Sequence, residues 1–160
     1  KLATTPLSKF EWIIGLVLYH MLIGMISTSV ILIVAVLVFN INIILNPVII
    51  ILIISGALTF PGLGMIISTV VREEEEADAA GNVVTFPMLF LSGTFFPLET
   101  MPTFIQAFAR ILPLTYLNNG LREIMVYGNY QAALWNCSIV FVIGIVTVAI
   151  AMKVTKWTDL

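Results

Sequence analysis

Apolar runs long enough to cross a lipid bilayer dominate this sequence and limit it to few folds. A helix rising about 1.5 Å per residue needs about 20 residues to cross a hydrocarbon core of about 30 Å. Four runs reach that length, at 13–39, 47–71, 77–96 and 132–152. Only 10% of the residues are charged, whereas a soluble domain usually carries about 25%. The sequence therefore predicts an all-α membrane protein with four transmembrane helices.

Asparagine, proline and glycine mark where the second run begins and where it bends. Asn46 is a favourable N-cap, and Pro47 suits the first helical position. Pro61 lies inside the run, close to three glycines that include Gly62. We therefore expect a kink at Pro61, with neighbouring helices packed closely against the glycines.

The segment 97–131 is neither a clean membrane span nor an ordinary loop. It is apolar, yet it is interrupted by Pro97, Pro102, Pro113, Gly120 and Gly128. Irregular backbone within a membrane is tolerated only where protein or a water-filled cavity covers it. We therefore predict short re-entrant helices here, which enter the membrane part-way from the outer side.

The placement of lysine and arginine predicts the orientation, because cytoplasmic loops of membrane proteins carry an excess of both. With the amino terminus inside, only Arg110 and Arg122 of the seven cations lie outside. The other five are Lys1, Lys9, Arg72, Lys153 and Lys156. Both ends of the chain are therefore expected in the cytoplasm, and the acidic run 73–78 is interpreted as a solvated cytoplasmic turn.

Several chemistries lack the residues that they require. The net charge of −2 argues against nucleic acid, which attracts a basic surface. A phosphate-binding loop ends in Lys-Ser or Lys-Thr after a glycine-rich turn, and none of the lysines follows such a turn. One histidine and one cysteine give no support for a nucleophile triad or a zinc site. We predict that the chain is not an enzyme, with no catalytic, metal or cofactor residues.

The most distinctive stretch is 86–102, which reads FPMLFLSGTFFPLETMP. It resembles the signature F-P-x-x-F-L-S-G-x-F-F-P-x-x-x-M-P of ABC-2 type exporter permeases. The stretches 111–116 and 120–122 continue the resemblance, and 2–8 is similar to the cytoplasmic loop before the family's third span. The resemblance covers essentially the whole chain in order.

That resemblance implies a type V exporter-like fold with six spans in each permease half. The chain, 1–160, would supply the last four spans and be truncated at its amino terminus. Residues 1–12 would form a cytoplasmic coupling segment. The family's residues that contact its ATP-binding subunit correspond to Leu2, Ala3, Thr4, Thr5, Pro6, Leu7 and Ser8. The outer re-entrant gate matches Ser92, Gly93, Pro97, Glu99, Pro102, Pro113 and Arg122.

The resemblance also implies partners and a location. An ATP-binding-cassette ATPase subunit would hold ATP and magnesium, and a second permease half, identical or a sister chain, would complete the path. Membrane lipid would surround the assembly in the plasma (inner) membrane of a prokaryote.

Three residues are candidates for lining a substrate path, namely His20, Ser27 and Pro61. For His20 a substrate contact or proton relay is one interpretation. A neutral histidine bonded to a Ser or Thr of a neighbouring helix is the favoured one. Glu99 is interpreted chiefly as a cap for the helix after Pro102.

Charged residues of the re-entrant segment have several candidate partners. Arg110, Arg122 and Glu123 are expected to pair with one another, with Glu99 or with lipid headgroups.

The function predicted is that of an export permease, moving a drug-like, lipid or glycan substrate by alternating access. A secondary carrier or channel stays open as an alternative, although it would need ionisable residues at mid-span in repeated halves. A membrane anchor or assembly protein that transports nothing stays open as well.

Overall fold

The computed structural model describes residues 9–40, 46–71 and 74–154, and all regular structure in these ranges is helical. The helices are α1 (Lys9–Phe39), α2 (Pro47–Ser68), α3 (Glu74–Leu91), α4 (Thr103–Ala109), α5 (Pro113–Arg122) and α6 (Tyr130–Val154). A 3-10 turn, Leu98–Thr100, lies between α3 and α4, and a π-helical turn, Glu123–Tyr127, follows α5.

Three of these helices are long and apolar enough to cross a membrane. They are Phe10–Phe39, Pro47–Ser68 and Tyr130–Val154, within α1, α2 and α6. Among the described residues α3 is not one of them, and its first turns carry acidic side chains such as Glu75 and Asp78. The all-α membrane class is therefore confirmed, while the fourth span stays a prediction.

The end of α3 differs from the predicted end of the third run. The helix ends at Leu91, although the apolar run 77–96 continues through Phe95 and Phe96. Gly93 adopts a left-handed backbone with φ +80°, which no α-helix accommodates. The chain therefore turns at Gly93, and Phe95 and Phe96 lie beyond the helix.

The predicted start of α2 is confirmed. Asn46 is the N-cap, its Oδ1 accepts a hydrogen bond from the backbone N–H of Val48 at 3.0 Å, and Pro47 opens the helix. Pro61 lies inside α2, which continues to Ser68. The kink at Pro61 stays a prediction.

Helices α2 and α6 pack side by side and run parallel. Residue numbers rise together along both helices from one facing pair to the next. These pairs are Ser55 with Cys137 (Oγ to Sγ 3.6 Å), Thr59 with Val140 (Oγ1 to O 3.0 Å) and Gly62 with Thr147. The predicted close packing is confirmed at Gly62, because a Cβ there would lie 2.7 Å from Thr147 Oγ1. It is wrong at Gly64, another of the three glycines near Pro61, because nothing lies within 4 Å of a Cβ there.

Because α2 and α6 are parallel, the chain between them has to run back along the bundle, from the end of α2 to the level at which α6 begins. Helix α3 begins near the end of α2, contacts α2, and reaches α5 at its own far end. At Gly120 of α5 a Cβ would lie 2.8 Å from Leu52 Cδ2, so α5 lies beside the first half of α2. Helix α3 therefore runs back towards the start of α2. Helix α1 also runs antiparallel to α2, since Ile13 packs with Met65 and Gly24 faces Ala57.

Two apolar clusters hold the ends of this bundle. Val48, Leu52, Ile124 and Ala133 belong to the cluster where α2 begins. The cluster at the other end joins Ile13, Val17, Met65 and Ala151. Between them the α2–α6 interface is polar, yet every buried side-chain nitrogen or oxygen among the described residues has a hydrogen-bond partner.

Removing one of these interhelical bonds should have a small but measurable effect. In Thr59→Val the hydroxyl that donates to Val140 O is lost. Interhelical hydrogen bonds in membranes contribute about 0.6 kcal/mol on average. We expect a loss of about that size in the free energy of unfolding, measured by denaturing-detergent titration in mixed micelles. Thr85→Val, on an exposed face of α3, is the matched control, and equal losses at both positions would contradict the interface.

Candidate functional site

Polar side chains fasten the chain segment after α3 to helix α5. Ser92 Oγ and Thr94 Oγ1 share a hydrogen bond of 2.8 Å. The Asn118 amide donates to Thr94 Oγ1 at 2.6 Å and to Ser92 Oγ at 3.2 Å. Arg122 Nη2 donates to the carbonyl oxygen of Gly93 at 3.0 Å. We call these five residues, Ser92, Gly93, Thr94, Asn118 and Arg122, the clamp.

The local sequence explains why these groups meet. Asn118 and Arg122 are four residues apart on α5 and therefore share one face of that helix. Gly93 permits the turn because its φ of +80° disfavours other residues, and a Cβ there would lie 3.1 Å from Leu98 Cγ. The turn directs the Gly93 carbonyl to Arg122 and the Ser92 and Thr94 hydroxyls to Asn118.

The clamp combines neutral and charge-assisted hydrogen bonds. Ser92 is fully buried, and Asn118 and Arg122 are half-buried, so water competes only partly for their bonds. A neutral hydrogen bond contributes about 0.5–1.5 kcal/mol net, and one from a charged group about 1.5–3 kcal/mol. Together these bonds hold the end of α3 against α5.

Helix α4 is also fixed to α5 by side-chain hydrogen bonds. The buried Thr115 hydroxyl donates to Ala109 O at 2.6 Å, and the Tyr116 hydroxyl donates to Arg110 O at 2.6 Å. Both bonds satisfy carbonyls at the carboxyl end of α4, which lack partners within the helix. Helix α5 thus connects two neighbouring elements, the end of α3 through the clamp and α4 through these hydroxyls.

The structure brings together only some of the predicted gate residues. Ser92, Gly93 and Arg122 meet in the clamp. Pro97 lies just before the 3-10 turn, and exposed Glu99 lies within it. The remaining two are the N-cap of α4, Pro102, and the first residue of α5, buried Pro113.

Two predictions about charged residues are corrected. Glu99 does not cap α4, because Pro102 is the N-cap and no side-chain hydrogen bond caps the start of the helix. Arg122 donates to the Gly93 carbonyl rather than to a carboxylate, since the turn brings that backbone oxygen within its reach.

Sequence reasoning missed Thr94 and Asn118. An asparagine four residues before an arginine, within a segment otherwise rich in apolar residues, was the signal that could have identified the second of these.

The predicted path-lining residues lie on two helices. His20 and Ser27 are exposed on α1 and are seven residues, about two turns, apart, so they share one face. His20 Nδ1 donates to the carbonyl of Leu16 at 2.8 Å. The predicted bond to a Ser or Thr of another helix is therefore wrong, because the helix's own carbonyl four residues earlier is nearer. Pro61 is half-buried in α2.

Other predicted features lie at or beyond the described ranges. The coupling residues Leu2 to Ser8, and also Arg72, Glu73 and Lys156, lie outside the described residues. Within them Glu75, Glu76 and Asp78 are exposed on α3, and no group of three metal-ligating side chains occurs among the residues that could be searched.

Comparison of the sequence with known proteins gives one family model and several relatives. Residues 1–126 match the family model described as ABC-2 type transporter. The linearmycin resistance permease protein LnrN of Bacillus subtilis (strain 168) is 31% identical over 158 residues, covering 98% of this chain and 41% of that protein. ABC transporter G family member 20 of Dictyostelium discoideum is 36% identical over 118 residues, covering 72% of this chain and 16% of that protein.

A third relative is named for a different compound. The daunorubicin resistance ABC transporter permease protein DrrB1 of Streptomyces coeruleorubidus is 30% identical over 96 residues, or 60% of this chain and 31% of that protein. The chain therefore spans less than half the length of each of these three relatives. No solved structure matches the chain significantly.

Proposed function

The chain belongs to the ABC-2 type transporter family, and from that premise we propose that it forms the last four spans of an ATP-driven export permease. A separate ATP-binding-cassette subunit would hydrolyse ATP in contact with the Leu2–Ser8 segment. A second permease half, identical or a sister chain, would complete the path through the plasma membrane of a prokaryote.

The parallel packing of α2 and α6 is the observation that carries the four-span arrangement. Both helices run in the same direction, as the contact of Thr59 with Val140 and that of Gly62 with Thr147 require. The chain between them has to return to the level at which α2 began. Helix α3, with 18 residues, covers about 27 Å at helical rise, close to a hydrocarbon core of about 30 Å. We therefore assign α3 as the fourth crossing, with both ends of the chain in the cytoplasm.

This arrangement suggests how the parts would move. The α2–α6 pair, locked by close glycine contacts, would act as one rigid body in alternating access. The clamp would lie at the outer ends of the spans and hold the gate, with α4 and α5 entering the outer leaflet as re-entrant helices. Movement of the ATPase subunits would reach the spans through Leu2–Ser8 and α1.

The exposed face of α1 supports an apolar or amphipathic substrate rather than a glycan. Between Trp12 and Phe39 the helix carries no Asp, Glu, Lys or Arg, and His20 and Ser27 are its polar groups on one exposed face. A polar side chain at that depth is costly against lipid, so this face is assigned to the path. Relatives named for linearmycin and daunorubicin resistance favour drug-like compounds of this kind.

Reconstitution of the full-length protein with its ATP-binding subunit tests the proposal. Fluorescent daunorubicin should accumulate in inside-out proteoliposomes with ATP, and should not when the ATPase subunit carries an inactivating substitution at its catalytic carboxylate. Uptake that needs an ion gradient and no ATP would instead identify a secondary carrier. An intact complex that hydrolyses ATP but moves neither daunorubicin nor other amphipathic drugs would favour the anchor alternative.

A further inference from the structure

The outward face of α6 carries an open groove at the start of the helix. The groove has a volume of about 570 Å³ and is lined by Asn129, Gln131, Ala132, Leu134, Trp135 and Ser138. Sites for small ligands usually measure about 300–1,000 Å³. We propose that this groove binds the neutral sugar headgroup of a glycolipid, which is held on the outside of α6 and not in the transport path assigned to α1.

The polar side chains of the groove have hydrogen-bonding capacity that the protein does not use. Asn129 Oδ1 accepts from the backbone N–H three residues later at 3.2 Å, which leaves its amide nitrogen as a donor. Ser138 Oγ donates to the carbonyl four residues earlier at 2.9 Å, so its oxygen can still accept. The side chains of Gln131 and Trp135 make no hydrogen bond within the described residues. The groove therefore offers donors and acceptors together, as neighbouring sugar hydroxyls require.

The absence of charge in the groove selects the type of headgroup. None of the six described residues that line it is charged. Phosphate groups are recognised chiefly by arginine and lysine, and quaternary ammonium groups are bound in cages of several aromatic rings. Trp135 is the single aromatic ring among the six lining residues. A neutral headgroup rich in hydroxyls therefore fits this groove better than a phosphate or a choline.

Trp135 provides a flat surface for a sugar ring. Its side chain is 70% exposed, and the face of an indole ring is electrostatically negative. The weakly positive C–H groups on one side of a sugar ring can pack against that face. Tryptophan also occurs in ordinary interfacial belts of membrane proteins, but such a belt does not require a groove lined by amide and hydroxyl groups.

The same face of α6 continues from the groove as an apolar track. Gln131, Trp135, Ser138, Val142 and Ile145 follow at spacings of four and three residues, so they share one side of the helix. Val142 and Ile145 are 58% and 51% exposed. A headgroup at the first three residues would place its acyl chain along the last two, so the ligand is assigned as a lipid and not as a free sugar. Its location in the outer leaflet rests on the membrane arrangement proposed above.

Titration of fluorescent lipids with the full-length protein and its ATP-binding subunit tests the site. The complex is kept in a polyoxyethylene detergent, which carries no sugar. The probes are glucosylceramide and sphingomyelin with the same nitrobenzoxadiazole-labelled acyl chain, and binding is measured by fluorescence anisotropy. The test variants are Gln131→Leu, Trp135→Leu and Trp135→Phe. Tyr127→Leu, which removes a similarly exposed ring outside the groove, is the matched control.

The unsubstituted complex should bind glucosylceramide more tightly than sphingomyelin. Gln131→Leu and Trp135→Leu should each weaken glucosylceramide binding about fivefold, as expected for the loss of one neutral hydrogen bond. Trp135→Phe, which keeps a flat ring, should weaken it less, and Tyr127→Leu should bind normally. Equal affinities for the two lipids, or equal effects of Trp135→Leu and Tyr127→Leu, would overturn the inference.

Two further measurements separate the possible failures. Methyl glucoside at the concentration of the labelled glycolipid should not displace it, because the free sugar lacks the acyl chain, and displacement would overturn the assignment to a lipid. Daunorubicin uptake is measured with the same preparations after reconstitution. ATP-driven uptake without glycolipid binding would overturn this inference alone, whereas glycolipid binding without uptake would support it and contradict the export function.

Discussion

Gly62→Val should prevent most of the protein from reaching its packed, detergent-stable form, whereas Gly64→Val should leave it intact. A Cβ at Gly62 would lie 2.7 Å from Thr147 Oγ1 and 3.0 Å from the backbone nitrogen of Val148. The side chain of Thr147 can rotate, but the backbone of α6 cannot retreat without separating the two helices. At Gly64 nothing lies within 4 Å of a new Cβ, so the same residue two positions later in the same helix is the matched control.

The loss of stability expected for Gly62→Val exceeds that of an ordinary substitution. Extra methylene groups in a well-packed interior cost about 1–3 kcal/mol, and valine adds three carbons where one is already too close. Membrane insertion should be unaffected, because valine is apolar and favours it. The measurement is the monodisperse fraction and thermal midpoint of each purified variant, compared with its total amount in the membrane fraction.

A second pair of variants identifies the contact responsible. Gly62→Ala should destabilise the protein, and adding Thr147→Ala, which removes the nearest oxygen, should restore part of the loss. Interaction energies of about 0.5–3 kcal/mol between contacting residues are typical of such cycles. Equal stability of Gly62→Val and Gly64→Val, or additive effects in the cycle, would contradict the parallel α2–α6 interface.

Opening the clamp should reduce transport at least tenfold without removing the protein from the membrane. Asn118→Ala removes both bonds to Ser92 and Thr94, and Arg122→Ala removes the bond to the Gly93 carbonyl. The charge-assisted bond alone contributes about 1.5–3 kcal/mol, and a change of about 1.4 kcal/mol shifts an equilibrium tenfold. Loss of these bonds should therefore shift the equilibrium between the closed and open states of the gate.

Neighbouring residues supply the controls for the clamp. Asn119 is half-buried beside Asn118 on α5, and its side chain makes no hydrogen bond within the described residues, so Asn119→Ala should transport normally. Drug uptake and ATP hydrolysis are measured together in proteoliposomes, since an uncoupled gate lowers the first more than the second. Equal transport by Asn118→Ala and Asn119→Ala would show that the clamp has no role in the gate.

The sequence was most informative where one helix determines its own structure. Run length identified α1, α2 and α6, and Asn46 with Pro47 located the start of α2, because insertion and capping depend on nearby residues. Prolines likewise indicated short helices within 97–131. Each of these features is a property of a local stretch of chain.

What the sequence could not supply depended on distant partners. The residue of α6 that faces Gly62 is Thr147, and no local pattern contains that information. The clamp joins residues about 26 positions apart, at Ser92 and Asn118. The end of α3 was misplaced because Phe95 and Phe96 continue the apolar run, while the left-handed Gly93 that breaks the helix is a single residue within it.

The central claim, four crossings with both ends in the cytoplasm, is tested most directly by labelling cysteines with a membrane-impermeant maleimide in intact cells. Cysteines at Asn40 and Asn129 should react from outside, and those at Glu75 and Lys153 only after permeabilisation. If α3 does not cross, the result at Asn129 and Lys153 reverses, with Asn129 protected and Lys153 reactive from outside. That reversal would contradict the return of α3 along α2 and the topology built on it.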